Sequence, residues 1–155
     1  MGLFDWLKRK ETAKDNSAGD AQFERGEEIF AGLNMKEAIE AHLAWRKRLE
    51  IAIADKTIGN YEVHVVASDG NCVLGKWLLK EAKAYSCLPE YDALRLAHAE
   101  FHLMAGDILA QIRDGSYEAA SGRIKTDLRR HSDQVQLNLI RLCTKANYAH
   151  KAVGK

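Results

Sequence analysis

Proline is nearly absent from this sequence, since Pro89 is the only one among 155 residues. Long stretches are therefore free of a helix breaker, and the interior is rich in alanine, leucine, lysine and glutamate, which favour helices. Apolar residues make up 46% and charged residues 29% of the chain, a balance that excludes a disordered protein. The composition predicts one compact all-α domain.

Other features are also missing. No apolar run approaches the length of about eighteen residues that a membrane span requires. The formal net charge is only +1, so no overall field attracts nucleic acid or an anionic membrane. The three cysteines, Cys72, Cys87 and Cys143, are odd in number and widely spaced, which excludes a closed disulfide framework and indicates a reducing compartment. We therefore expect a cytoplasmic protein without a nucleic-acid partner.

The N-terminal residues differ in character from the remainder of the chain. Residues 3–10 are amphipathic, with apolar side chains near one helical face followed by a basic cluster, an order opposite to that of a signal peptide. We interpret residues 1–20 as an amphipathic tag with a flexible linker, and residues 21–150 as the helical domain. The tag could touch a membrane surface or a partner, or pack loosely on its own domain.

Apolar residues recur at helical spacing in four segments. The first helix is predicted over Asn34–Asp55, with Asn34 as its cap. The second begins near residues 69–71 and carries Cys72, Gly75, Leu79 and Ala82 along one line. The third covers residues 90–114, with Pro89 at or just before its first turn, and the fourth covers residues 117–148. Tyr61–Ala67, between the first two, predicts a loop with some extended backbone and an exposed His64. Four amphipathic helices joined by short loops predict an antiparallel four-helix bundle.

Three of the six histidines lie on the apolar stripes of these helices: His42 on the first, and His98 and His102 on the third. For a single histidine in such a stripe, a hydrogen-bonded core residue is the simpler interpretation. His98 and His102 are four residues apart, however, so their rings share a helix face and can bind one ion. If the helix faces meet, His42 and Cys72 could join them, giving three imidazoles and one thiolate, a set suited to zinc.

Other metal patterns are absent from the sequence. No glutamate stands three residues before a histidine, and no His-Glu-x-x-His occurs, which excludes the common di-iron and metalloprotease motifs. Gly75, one turn after the cysteine at position 72, predicts that another group comes close there. Asp69 and Asp107 could orient a ligand imidazole, and His131 is interpreted as a core histidine or a supporting group.

Three strings of residues resemble, in order, the signature motifs of the chemoreceptor zinc-binding domain. They are His-x-x-Trp from residue 42, Cys-x-Leu-Gly-x-Trp from residue 72 and His-x-x-x-His from residue 98. The similarity covers approximately residues 22–148. Three separate motifs in the right order are far more specific than any one of them.

This resemblance implies a helical bundle that holds one Zn²⁺ through three histidines and one cysteine. The residues that carry over, called here the four-residue cluster, are His42, Cys72, His98 and His102. Such domains are usually attached to bacterial chemoreceptors or diguanylate cyclases, where zinc or the redox state of its thiolate sets the output. The sequence contains no such output module, so we expect a stand-alone member that signals to a separate protein or to a second copy, and a homodimer.

We therefore expect a non-enzymatic zinc-binding regulatory domain in bacterial signal transduction, with chemotaxis as one setting. Four bound protein ligands would leave no open position for water, which favours a structural or regulatory centre over a hydrolytic one. Two alternatives remain. One is a structural scaffold with constitutive zinc, and the other is a metalloenzyme with an exchangeable ligand.

Overall fold

The computed structural model describes the backbone of residues 29–153 and the side chains of residues 29–147. The chain is mostly helical there, which confirms the all-α prediction. The predicted tag and linker, and the boundary between them and the domain, lie outside the described residues. The helices are α1 (Met35–Asp55), α2 (Val63–Ala67), α3 (Val73–Leu79), α4 (Pro89–Arg113), α5 (Tyr117–Arg123) and α6 (Arg129–Val153).

Short elements join these helices. The turns Asp69–Asn71 and Glu81–Tyr85 are 3₁₀-helical, and a π-helical segment, Ile124–Leu128, connects α5 to α6 without interruption. The predicted fourth helix is therefore one continuous helical run with a local π distortion. None of the helices in the described part of the chain is long and apolar enough to cross a bilayer.

Helix α1 begins as the sequence predicts. The side chain of Asn34 accepts a hydrogen bond from the backbone N–H of Glu37 at 3.0 Å, which satisfies one of the free donors of the first turn. The residue after the helix, Lys56, is its C-terminal cap and adopts a left-handed conformation with φ 54°. Met35, Ala38, His42 and Leu49 belong to its buried face, which confirms the predicted stripe.

A small hairpin before α1 was not predicted. Its strands, β1 (Ile29–Phe30) and β2 (Leu33–Asn34), pair antiparallel with Phe30 opposite Leu33. Strands of two residues are too short to produce a periodic pattern. Side-chain contacts hold the hairpin in place, because the indole of Trp77 donates to the Ala31 carbonyl at 3.0 Å and packs edge-on against the Phe30 ring.

Helix α4 packs most extensively against α6. Two ion pairs join α4 to the continuous run of α5 and α6: Arg123 of α5 with Asp107 at 3.8 Å, and His131 of α6 with Glu100 at 3.8 Å. From the first pair to the second, the residue number rises along the run of α5 and α6 and falls along α4. The run and α4 are therefore antiparallel. His131 is thus partly buried against α4 and lies outside the four-residue cluster.

The prediction of a loop with some extended backbone holds for Tyr61 and Glu62 but is wrong for the five residues that follow. Val63–Ala67 forms the short helix α2, which packs against α4. The β-branched valines favour a strand, but tertiary packing decides the conformation, since Val66 is buried and Ala67 lies against Gly106 of α4. A Cβ at Gly106 would stand only 2.6 Å from that of Ala67. The exposed position of His64 is confirmed.

The predicted second helix is shorter than expected. Helix α3 ends at Leu79, Lys80 leaves the helical conformation, and a separate 3₁₀ turn follows. The hydroxyl of Tyr91 donates to the Leu78 carbonyl at 2.8 Å, so a side chain takes the place of a further helical N–H. As a result Leu79, which was expected on the inner line, is exposed, whereas Ala82 is buried.

Candidate metal centre

The structure brings the four-residue cluster together at the junction of three helices. His42 lies on the buried face of α1, Cys72 is the residue before α3, and His98 and His102 are one turn apart on α4. One ligand atom from each of the four lies within 4.8 Å of the others. The helix faces that the sequence could not place relative to one another therefore meet here.

The distances in the cluster approach those of a coordination sphere. The Nε2 atom of His98 lies 3.1 Å from the Cys72 sulfur and 3.1 Å from Nε2 of His102, and the sulfur lies 4.0 Å from Nε2 of His42. Ligand atoms at 2.0–2.3 Å from a tetrahedral zinc lie roughly 3.3–3.6 Å from one another. A modest adjustment of side chains thus suffices for all four atoms to reach one ion.

Two of the imidazoles are oriented by backbone carbonyls. Nδ1 of His42 donates to the carbonyl of Ala38 at 2.6 Å, and Nδ1 of His102 donates to the carbonyl of Val66 at 2.8 Å. Because the proton resides on Nδ1 in both rings, each Nε2 keeps its lone pair and directs it into the cluster. This is the tautomer that a metal requires of a histidine bound through Nε2.

The third imidazole has different surroundings. Nδ1 of His98 is buried without a hydrogen-bond partner, and the nearest carboxylate oxygen, of Asp69, is 4.0 Å away. Gly75 packs tightly here, because a Cβ at that position would clash with the Asp69 carbonyl and stand 3.2 Å from the His98 ring. The predicted close approach at Gly75 is confirmed. Asp107 instead pairs with Arg123, away from the cluster.

Cys72 has two roles in the local structure. Its sulfur accepts a hydrogen bond from the backbone N–H of Gly75 at 3.4 Å and so caps the first turn of α3. The same sulfur lies 3.9 Å from the Asp69 carbonyl and is only partly buried. A change at this sulfur therefore acts directly on the start of α3.

Burial sets the protonation states of the cluster. Desolvation lowers the pKa of His42 to about 4 and that of His98 to about 2, and it lowers the pKa of His102 as well. The rings are thus neutral at pH 7, as metal binding requires. Burial raises the pKa of the Cys72 thiol, so the metal-free cysteine is protonated and must lose its proton when it becomes a ligand.

These observations test whether the cluster suits zinc. Three neutral imidazoles and one thiol converge, and the two Nε2 atoms of His98 and His102 face each other at 3.1 Å, an arrangement that a shared cation stabilises. Nitrogen and sulfur ligands in a four-coordinate set are those of structural zinc sites. The residues present therefore fit Zn²⁺.

A cleft of about 450 Å³ connects this centre to the surface. Its lining includes Cys72 and His102, whereas the other two histidines of the cluster do not contribute to it. Trp45 and Tyr61 also line the cleft, with their ring centroids 5.4 Å apart. The centre is thus accessible on its cysteine side, whereas His42 and His98 are buried.

Two backbone acceptors of the centre, and the glycine that lets one of them approach, were missed by the sequence analysis. The carbonyl of Ala38 lies four residues before His42 on the same helix, so its position could have been inferred from helix geometry. The carbonyl of Val66 comes from α2, which was expected to be extended, and no sequence signal points to it. Gly106, which lets α2 approach α4, carries a weak signal as a glycine inside a helical stripe.

The fold and the donor set define a class of protein: a helical domain with a three-histidine, one-cysteine centre for zinc. Residues 42–109 match the family model of the chemoreceptor zinc-binding domain. The matched residues include the whole four-residue cluster. No curated protein and no solved structure was found to match the chain.

Proposed function

We propose that this chain is a non-enzymatic regulatory domain in which the four-residue cluster holds one Zn²⁺, and in which zinc occupancy or the oxidation of Cys72 sets the state of a protein partner. The observation that supports it most is the convergence of three neutral Nε2 atoms and one sulfur within 4.8 Å. Four protein ligands leave no position for a substrate water, which favours regulation over catalysis.

The residues of the cluster link separate parts of the fold. His42 belongs to α1, His98 and His102 to α4, and Cys72 to the start of α3. Bound zinc would supply a positive charge that compensates the thiolate and stabilises this junction. Without it, the carbonyls of Ala38 and Val66 still orient two of the rings, but no shared cation draws the four ligand atoms to one point. The relative positions of α1, α3 and α4 would therefore depend on occupancy.

Oxidation offers a second input through the accessible side of the centre. Cys72 is partly buried and lines the cleft, so a small peroxide can reach its sulfur. The thiolate attacks one peroxide oxygen, the O–O bond breaks, the new S–O bond gives a sulfenic acid, and the second oxygen leaves as hydroxide. The sulfenic acid is a weaker ligand, and its sulfur is a poorer cap for α3.

The partner of the domain is proposed from its family. Chemoreceptor zinc-binding domains typically occur in signalling proteins and are often dimeric. We propose that this chain acts in the cytoplasm as a homodimer with helices arranged as an antiparallel bundle, and that it transmits its state to a chemotaxis or cyclic-dinucleotide signalling protein. Sedimentation at tens of micromolar, roughly, should give twice the monomer mass, and a monomer there would refute the dimer.

Metal content provides the direct test of the zinc centre. Inductively coupled plasma mass spectrometry on untagged protein should find one zinc per chain in the wild type and little in Cys72→Ala and His98→Ala. His64→Ala and Cys87→Ala are matched controls, because both residues are exposed and lie outside the cluster. A wild type without zinc after reconstitution would leave the histidines as core residues and reject the proposal.

Burial of the cluster favours one alternative function, a scaffold with constitutive zinc. His42, His98 and His102 are all buried, so the centre could hold its metal permanently. Competition with chelators of graded affinity separates the two functions. Zinc that exchanges within the cellular range indicates a sensor, whereas zinc that resists every such chelator indicates a scaffold.

A further inference from the structure

One hydrogen-bonding group of the centre lacks a partner. Nδ1 of His98 has no hydrogen-bond partner, and the whole residue is buried. The corresponding atoms of His42 and His102 both donate to backbone carbonyls. A buried N–H without an acceptor is destabilising, so an acceptor within reach of this ring would be favourable.

Among the residues that the structure describes, Asp69 carries the carboxylate that is placed to accept this proton. Oδ2 of Asp69 lies 4.0 Å from Nδ1 of His98, and a hydrogen bond needs about 2.7–3.2 Å. The Asp69 side chain is 51% exposed and can rotate inward, whereas its backbone is fixed by the contacts of its carbonyl with Gly75 and Cys72. The gap is thus of a size that side-chain rotation closes.

We infer that Asp69 is a positioning residue of the metal centre, whose carboxylate accepts the Nδ1 proton of His98 when zinc is bound. This inference rests on the proposed function. By holding the proton on Nδ1, Asp69 keeps the Nε2 lone pair directed at the metal and makes the imidazole a stronger ligand. The centre then has one ligand supported by a side chain and two supported by the backbone.

Zinc affinity in variants of Asp69 provides the first measurement. Removing a carboxylate that supports a ligand histidine typically weakens metal binding by 10–100-fold, and chelator competition should show about that loss for Asp69→Ala. Asp69→Asn retains an amide oxygen as acceptor and should lose less. Asp107→Ala is the matched control, because Asp107 of α4 pairs with Arg123 away from the cluster. The zinc affinity of this variant should stay within about twofold of that of the wild type.

A spectroscopic measurement distinguishes positioning from a general effect on folding. In zinc-loaded protein, nuclear magnetic resonance should show three slowly exchanging Nδ1 protons, and Asp69→Ala should shift or lose only that of His98. Unchanged affinity in both Asp69 variants overturns the inference, as does a loss of affinity with the His98 resonance unaltered. Failure of the proposed function is distinguishable from failure of this inference, because the wild type itself would then bind no zinc.

Discussion

The protonation states of the cluster predict how many protons leave when zinc binds. Burial holds the pKa of His42 near 4 and that of His98 near 2, so both rings are neutral at pH 6. Burial also lowers the pKa of His102, so this ring is less protonated there than a free histidine. The Cys72 thiol is protonated, since burial raises its pKa. Zinc uptake should therefore release about one proton at pH 7.5, from the thiol, and fewer than two protons at pH 6.

Isothermal titration calorimetry in buffers of different ionisation enthalpy measures this number. Histidines with an ordinary pKa near 6.5 would each be about three-quarters protonated at pH 6, so the release would rise to about three protons. A value near three at pH 6 would refute the assignment of buried neutral rings. Cys72→Ala should bind zinc weakly with almost no proton release, which identifies the thiol as the source.

Three further predictions follow from the same contacts. Gly75→Ala forces a Cβ into the Asp69 carbonyl, and chemical denaturation should show a loss of about 2 kcal/mol or more of unfolding free energy; an unchanged value would contradict the tight packing. Tyr61→Ala removes the ring that packs beside Trp45 in the cleft, so zinc loss to an excess of chelator should accelerate several-fold, and an unaltered rate would place the exit elsewhere. The metal-free protein should lose stability as pH falls from about 6.5 towards 4, because the histidines of the unfolded chain take up protons before the buried ones do. The lowered pKa of His42 alone accounts for a loss of about 3 kcal/mol of unfolding free energy. A thermal-unfolding temperature that stays constant over that pH range would be inconsistent with this reasoning.

Local rules predicted the parts of the fold that depend on sequence neighbours. The cap of α1 at Asn34 and the position of Pro89 in the first turn of α4 depend on residues a few positions apart, and both are confirmed. Helix α2 depends on the fit of Ala67 against Gly106, about forty residues away, and its local propensity pointed to a strand. Long-range packing of this kind leaves no periodic signal.

The same division applies to the metal centre. Spacing alone placed His98 and His102 on one face, because an interval of four residues has a fixed meaning in a helix. It did not show that α1 and the start of α3 meet α4, so His42 and Cys72 were candidates only if those faces met, and the resemblance to a family then supported the whole set. That all four lie together is a property of the folded chain.

The carbonyls of Ala38 and Val66 that orient two of the rings have a consequence for sequence divergence. Every amino acid has a backbone carbonyl, so no substitution at position 38 or 66 deletes these acceptors, provided the local helix persists. The acceptor proposed for His98 is a side chain, and one substitution at Asp69 removes it. Variation among natural homologues could therefore tune zinc retention through position 69 while leaving the orientation of the other two imidazoles intact.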